Sequence, residues 1–210
     1  MGQTAFFRFV FASGQMISNL KKVTVPILRT VPALSALLLA GCSAKPPLPS
    51  YGVVPDFTLT DQNGAAFSSN ALDRRVWVAD FIFTNCPGPC PRMSSQMHQV
   101  QTALTGDDGV RFVSFTVDPA RDTPVVLTAY AKHFEADPAK WYFLTGPTAT
   151  LNHLSYDVFH LSTVDGTLDH STRFVLVDRR SRIRGFYAST DQEAVPKLIA
   201  DAKQLLKDGS

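Results

Sequence analysis

Residues 76 to 84 read Val-Trp-Val-Ala-Asp-Phe-Ile-Phe-Thr, a nearly continuous apolar run rich in β-branched and aromatic side chains. A run of that length and composition predicts a strand at the buried centre of a sheet. The pattern then changes period. Met93, Met97, Val100 and Leu104 recur at spacings of four, three and four, which predicts an amphipathic helix over about residues 89 to 105.

The rest of the chain repeats the alternation. Upstream, Phe57 to Thr60 alternates weakly, and Asn63-Gly64 is a hairpin turn signal before Ala65 to Phe67. Val110 to Val117 predicts a second core strand, and Pro124 to Phe134 a second helix with Asp122 or Thr123 as its cap. Trp141 to Leu144 follows as a short strand and Thr148 to Asp157 as a short helix. Phe174 to Asp178 and Ile183 to Tyr187 are strands around a basic turn, and Gln192 to Lys207 is a closing helix. Strands alternating with helices, then a hairpin and a last helix, describe an α/β fold: a thioredoxin-like sandwich with a central mixed sheet flanked by helices.

The amino terminus reads differently. Residues 16 to 42 carry Lys21, Lys22 and Arg29, then run apolar from Val31 to Ala40 and end Leu39-Ala40-Gly41-Cys42. A basic start, an apolar stretch of about ten residues and small residues at the end make an export signal over residues 1 to 41. Met16 is an alternative start. The apolar stretch is about half the ~20 residues needed to cross a bilayer. Leu-Ala-Gly-Cys resembles a bacterial lipobox, in which Cys42 becomes the lipidated first residue. The expectation is therefore an exported, membrane-anchored bacterial lipoprotein facing the periplasm or the cell exterior. Residues 42 to 54, with Lys-Pro-Pro-Leu-Pro inside, are expected to be a Pro-rich tether, and residues 55 to 208 the folded domain.

Charge bears on partners. The net charge of +2 rests on twenty basic and eighteen acidic residues, and the leader holds four of the basic ones (Arg8, Lys21, Lys22, Arg29) and none of the acidic. Without the leader the balance becomes −2. Such a chain offers no phosphate-neutralising stripe, which argues against a nucleic-acid partner.

Chemistry concentrates where the apolar strand meets the helix, at Thr84-Asn85-Cys86-Pro87-Gly88-Pro89-Cys90-Pro91. If the helix includes both cysteines they lie one turn apart on one face. A helix amino terminus favours thiolate, the form that attacks disulfides and binds soft metals. A structural disulfide or two inert core cysteines is the bland alternative, and Pro87, Pro89 and Pro91 weigh against it by stiffening the turn. Thioredoxins place two residues between their cysteines, whereas three stand here. Three still permit a disulfide and also let both sulfurs face one ion. Two thiolates suit Cu(I), and they fall short of a closed four-coordinate zinc site.

A third ligand is sought among five histidines. His98 lies two helical turns past Cys90, ~12 Å along the axis, too far to share an ion with it. His133, at the end of the second helix, suits a surface or capping role. Nothing nearby singles out His153 or His160. His170 lies in Asp169-His170-Ser171 before a strand, in the loop that faces the active-site helix of a thioredoxin-like sheet.

Three motifs now stand in order: Phe83-Thr84-x-Cys86-Pro87-x-x-Cys90-Pro91, Val117-Asp118-Pro119-x-Arg121-Asp122-Thr123-Pro124, and Asp169-His170-Ser171 before a strand ending in Asp178. In that order and spacing the chain, from about Pro55 to Lys207, resembles the SCO/SenC family of copper chaperones associated with cytochrome c oxidase assembly. The resemblance implies copper held by Cys86, Cys90 and His170, as Cu(I) with Cu(II) left open. It also implies a copper-receiving oxidase subunit or another exported copper protein as client, with a thiol reductant as a further partner. Gly88 departs from the side chain many members carry between the cysteines. A membrane-tethered thiol-disulfide oxidoreductase using Cys86 and Cys90 as a redox pair stands beside the metallochaperone reading. A peroxidase-like reading ranks last, because Thr84 is one position too close to Cys86 for a peroxiredoxin loop.

Overall fold

The structure is a computed structural model and describes residues 45 to 165 and 171 to 208. Its centre is a five-stranded mixed sheet in the order β5-β4-β3-β6-β7. These strands are β3 (Val76–Ile82), β4 (Val110–Thr116), β5 (Trp141–Leu144), β6 (Arg173–Val177) and β7 (Ile183–Ala188), and a separate hairpin pairs β1 (Thr58–Thr60) with β2 (Ala66–Ser68). β3 runs parallel to β4 and antiparallel to β6, so the apolar run is central as its sequence predicts. Every residue of β3 is buried.

Each sheet face carries its own core. On one face Val76, Val78, Phe112, Phe174 and Leu176 pack with residues of α1 (Pro89–Ala103), α2 (Pro124–His133) and α4 (Ala194–Asp208). The predicted stripe of Met93, Met97, Val100 and Leu104 is the inward face at the α1 end of that layer. On the other face Trp77, Phe81, Phe115, Val175 and Val177 pack with Leu59 and Phe67 of the hairpin and with Leu151, Leu154 and Phe159. Phe81 stacks on Phe115 at 4.9 Å and meets Phe159 edge-on at 5.7 Å, geometries that suit the ring quadrupoles.

Local chemistry explains the turns. Asp61 Oδ1 accepts the N–H groups of Asn63 and Ala65, both at 2.9 Å, while Gly64 takes φ +80°. A residue without Cβ adopts that angle freely, so the Asn-Gly signal is honoured. The predicted helix 148 to 157 is split. α3 (Thr148–Asn152) runs directly into one π-helical stretch, His153–Val158. Asp122 does not cap α2: Thr123 is the cap residue, its side chain makes no capping bond, and the Asp122 carboxylate is engaged elsewhere.

Residues 46 to 54, expected to be tether, are joined to the domain. Gln204 donates to Pro46 O at 2.9 Å, and Arg184 donates to Pro49 O at 2.7 Å and to Leu48 O. Tyr51 N–H reaches Ile183 O and Ile183 N–H reaches Gly52 O, each at 2.9 Å. The apolar and proline-rich composition of a spacer hides this, because the segment makes these contacts through its backbone groups. Arg184 also pairs with Asp178 at 2.7 Å in the β6–β7 turn. Among the described residues no helix is long and apolar enough to cross a membrane.

Candidate thiol and metal centre

β3 ends at Ile82, and the chain turns through Phe83 to Gly88 before α1 begins at Pro89. Gly88 is the cap residue and Pro89 the first helical position, where its missing N–H costs no helical bond. The helix thus holds Cys90 and leaves Cys86 in the loop. The sulfurs are not paired by helical spacing on one face; the loop folds Cys86 back so that Cys90 N–H donates to Cys86 Sγ at 3.5 Å. No disulfide joins the two cysteines.

The two thiols sit in unequal surroundings. Cys86 is 8% exposed and Cys90 is fully buried against the sheet. Burial pushes the Cys90 thiol well above its ordinary value; the Cys86 side chain adds to the rise and a Phe83 backbone hydrogen bond opposes it. The expectation that the helix start favours thiolate is therefore reversed at Cys90. Desolvation of a charged sulfur outweighs the dipole because the Cys90 side chain itself is sealed from water, although Pro91 and Arg92 beside it are exposed. Below Cys90 on α1, buried Ser94 shares a hydrogen bond of 2.9 Å with the Tyr130 hydroxyl.

One of the two cap candidates of α2 holds the loop instead. Asp122, 1% exposed, accepts the Thr84 hydroxyl at 2.6 Å, the Thr84 N–H at 3.2 Å and the Thr116 hydroxyl at 2.5 Å. Thr116 Oγ1 in turn accepts the Asp118 N–H at 2.9 Å, and Asp118 pairs with Arg121. The motif read as a turn and helix start is thus also a clamp between β4 and the cysteine loop. Its visible trace in the sequence is an acid one position before the cap residue, beside a strand ending in threonine.

The remaining candidates separate. His98 is on α1, 4.0 Å from Glu135 and 3.4 Å from Thr102, away from the thiols as its spacing requires. His133 is exposed in the last turn of α2, edge-on to Phe134. His153 pairs with Asp157 at 2.9 Å, and His160 is exposed at φ +53°. His170 and Cys42 lie outside the described residues. Among the described residues no three His, Cys, Asp or Glu side chains are grouped to hold a metal ion. Two sulfurs brought together are a donor set that fits a soft, low-coordinate ion.

Known proteins match this arrangement over nearly the whole described domain. A family model described as SCO1/SenC matches residues 46 to 207. A SCO1/SenC family lipoprotein from Bacillus anthracis is 33% identical with a TM-score of 0.68, the match covering 73% of this chain and 95% of that one. BsSco, described as a member of the Sco family of cytochrome c oxidase assembly proteins with a disulfide switch, is 31% identical with a TM-score of 0.67, over 78% of this chain and 97% of its own. ScoI of Bradyrhizobium japonicum, solved with copper bound, is 28% identical with a TM-score of 0.61, over 73% of this chain and 99% of its own. On the family match and these likenesses, set on a thioredoxin-like sheet with its cysteine pair at the strand-to-helix turn, the chain belongs to the SCO1/SenC family.

Proposed function

We propose that this protein binds copper and delivers it during cytochrome c oxidase assembly, with Cys86 and Cys90 as thiolate ligands and His170 as the imidazole ligand. The observation that carries the reading is the juxtaposed cysteine pair at 3.5 Å N–H···S contact, in a family whose members include a copper-bound ScoI. Copper is the cargo. Two thiolates and a neutral imidazole satisfy Cu(I) and leave it open to stepwise exchange with ligands of a client. The client is a copper-receiving oxidase subunit or another exported copper protein. The leader and the Leu-Ala-Gly-Cys sequence support export and lipid anchoring at Cys42, so the domain works at a membrane surface. Titrating the reduced full chain with Cu(I) tests the reading: one ion per chain is expected, with loss of tight binding in Cys86→Ser, Cys90→Ser and His170→Ala. A natively folded chain whose Cys86 and Cys90 are both reduced, yet which takes up no copper, would overturn it.

The unequal exposure of the two thiols supports a second activity. Cys86 is the less buried sulfur and attacks a client disulfide, forming a mixed disulfide and releasing one client thiolate. Cys90 then attacks Cys86, releasing the second client sulfur. The pair loses two electrons and its two protons pass to the client thiols. Cys90→Ser should trap the mixed disulfide on Cys86, whereas Cys86→Ser should trap little; equal trapping would exclude this order of attack.

A further inference from the structure

We propose that Asp122 is the positioning residue of the cysteine pair, setting how readily Cys86 and Cys90 join. The inference rests on the reading of these two thiols as the working pair. Asp122 stands next to the start of α2, whose Thr123 cap makes no side-chain capping bond. Its carboxylate nevertheless turns from that helix toward the cysteine loop. There it takes both the hydroxyl and the N–H of Thr84, two residues before Cys86, and on its other side the Thr116 hydroxyl of β4.

The rest of the loop explains why such a clamp matters. Gly88 has open space around it, and its cap position carries no side-chain bond to hold the turn. Beyond the end of β3 the ladder closes with Val117 N–H on Ile82 O at 2.8 Å. Past that point Asp122 ties Thr84 to the sheet at both backbone and side chain. Holding Thr84 fixes where the chain enters Cys86. Cys90 is separately fixed by α1, where it is fully buried. Fixing both partners raises the effective concentration of one sulfur at the other.

The test measures the thiol–disulfide equilibrium of the full chain against glutathione, in which the dithiol and oxidised glutathione give the Cys86–Cys90 disulfide and two reduced glutathiones. Asp122→Ala and Thr84→Val are expected to shift this equilibrium at least tenfold toward the dithiol, about 30 mV for a two-electron couple. Thr116→Val leaves the Thr84 bonds in place and should shift it less than the other two. Circular dichroism and thermal melting check that each variant is folded, and Thr84→Val keeps shape and volume should Asp122→Ala fail to fold. A folded Thr84→Val or Asp122→Ala whose equilibrium matches the parent overturns the proposal, even where its melting temperature falls. Copper uptake by the unaltered chain is scored separately. Its failure removes the chaperone reading, whereas an unmoved equilibrium with normal uptake removes the clamp.

Discussion

Two aspartates lie buried, one inside the central sheet and one just past the end of β6, and meet opposite fates. Asp178, 1% exposed, closes the β6–β7 turn with Arg182 at 2.8 Å and Arg184 at 2.7 Å, and it also accepts the N–H groups of Arg180 and Arg182. Burial alone would raise its pKa, but the two guanidiniums and the two N–H groups hold it below the usual carboxylate value. Asp80, fully buried in β3, has neither carboxyl oxygen hydrogen-bonded among the described residues. Burial raises it from 3.8 to about 7, a rise that Ser114, opposite it in register, softens without closing a hydrogen bond to either oxygen. Depth does not decide whether a buried carboxyl is an anion or an acid; the supply of donors does.

The contrast can be broken at its strong end first. Asp178→Ala leaves Arg184, whose side chain is 7% exposed, without its carboxylate, and should cost about 3 to 5 kcal/mol in urea unfolding. Asp80 should show the reverse dependence on solvent. A folded-state pKa above the unfolded one means the native protein binds more protons, so the stability linked to Asp80 is full below about pH 4 and lost as pH rises through about 7. The difference is on the order of 4 kcal/mol. Asp80→Asn should flatten this slope and exceed the parent in stability at pH 8; an unchanged slope would show that Asp80 is not its source. Arg182→Ala removes the more exposed of the two guanidiniums, at 31%, and should cost about 1 kcal/mol by thermal melting, leaving Asp178 with Arg184. Placing an acid where none stands sharpens the contrast least. Gly88→Asp meets open space at the start of α1 and should add about 0.3 kcal/mol by supplying a capping side chain.

The same contrast shows what the residues made legible. The apolar run 76 to 84, the methionine stripe and Asn63-Gly64 carry local signals, and each lies where its pattern places it. The cysteine pair was visible as a pair because spacing and prolines are local too. Asp122 stands in the sequence as one of two cap candidates, beside Thr123, because its actual partner Thr84 is 38 residues away. The reversal at Cys90 was hidden for a related reason. A helix start is evident from Pro89, but the desolvation that overrides it comes from the packed sheet and helices around the sulfur. The change to π-helical geometry at His153 left no pattern that separates it from a continuing α-helix.

The strap formed by residues 46 to 54 also bears on the order in which the fold closes. Its acceptor Pro49 lies 135 residues from Arg184, and Pro46 lies 158 residues from Gln204. These carbonyls are synthesised first, yet they have nothing to bind until β7 and α4 exist. Contacts of such sequence separation form late and raise the entropic barrier to folding. The domain therefore fastens its first residues to its last strand and helix, and a fluctuation that loosens the strap bares the Arg184 guanidinium and the β7 edge together.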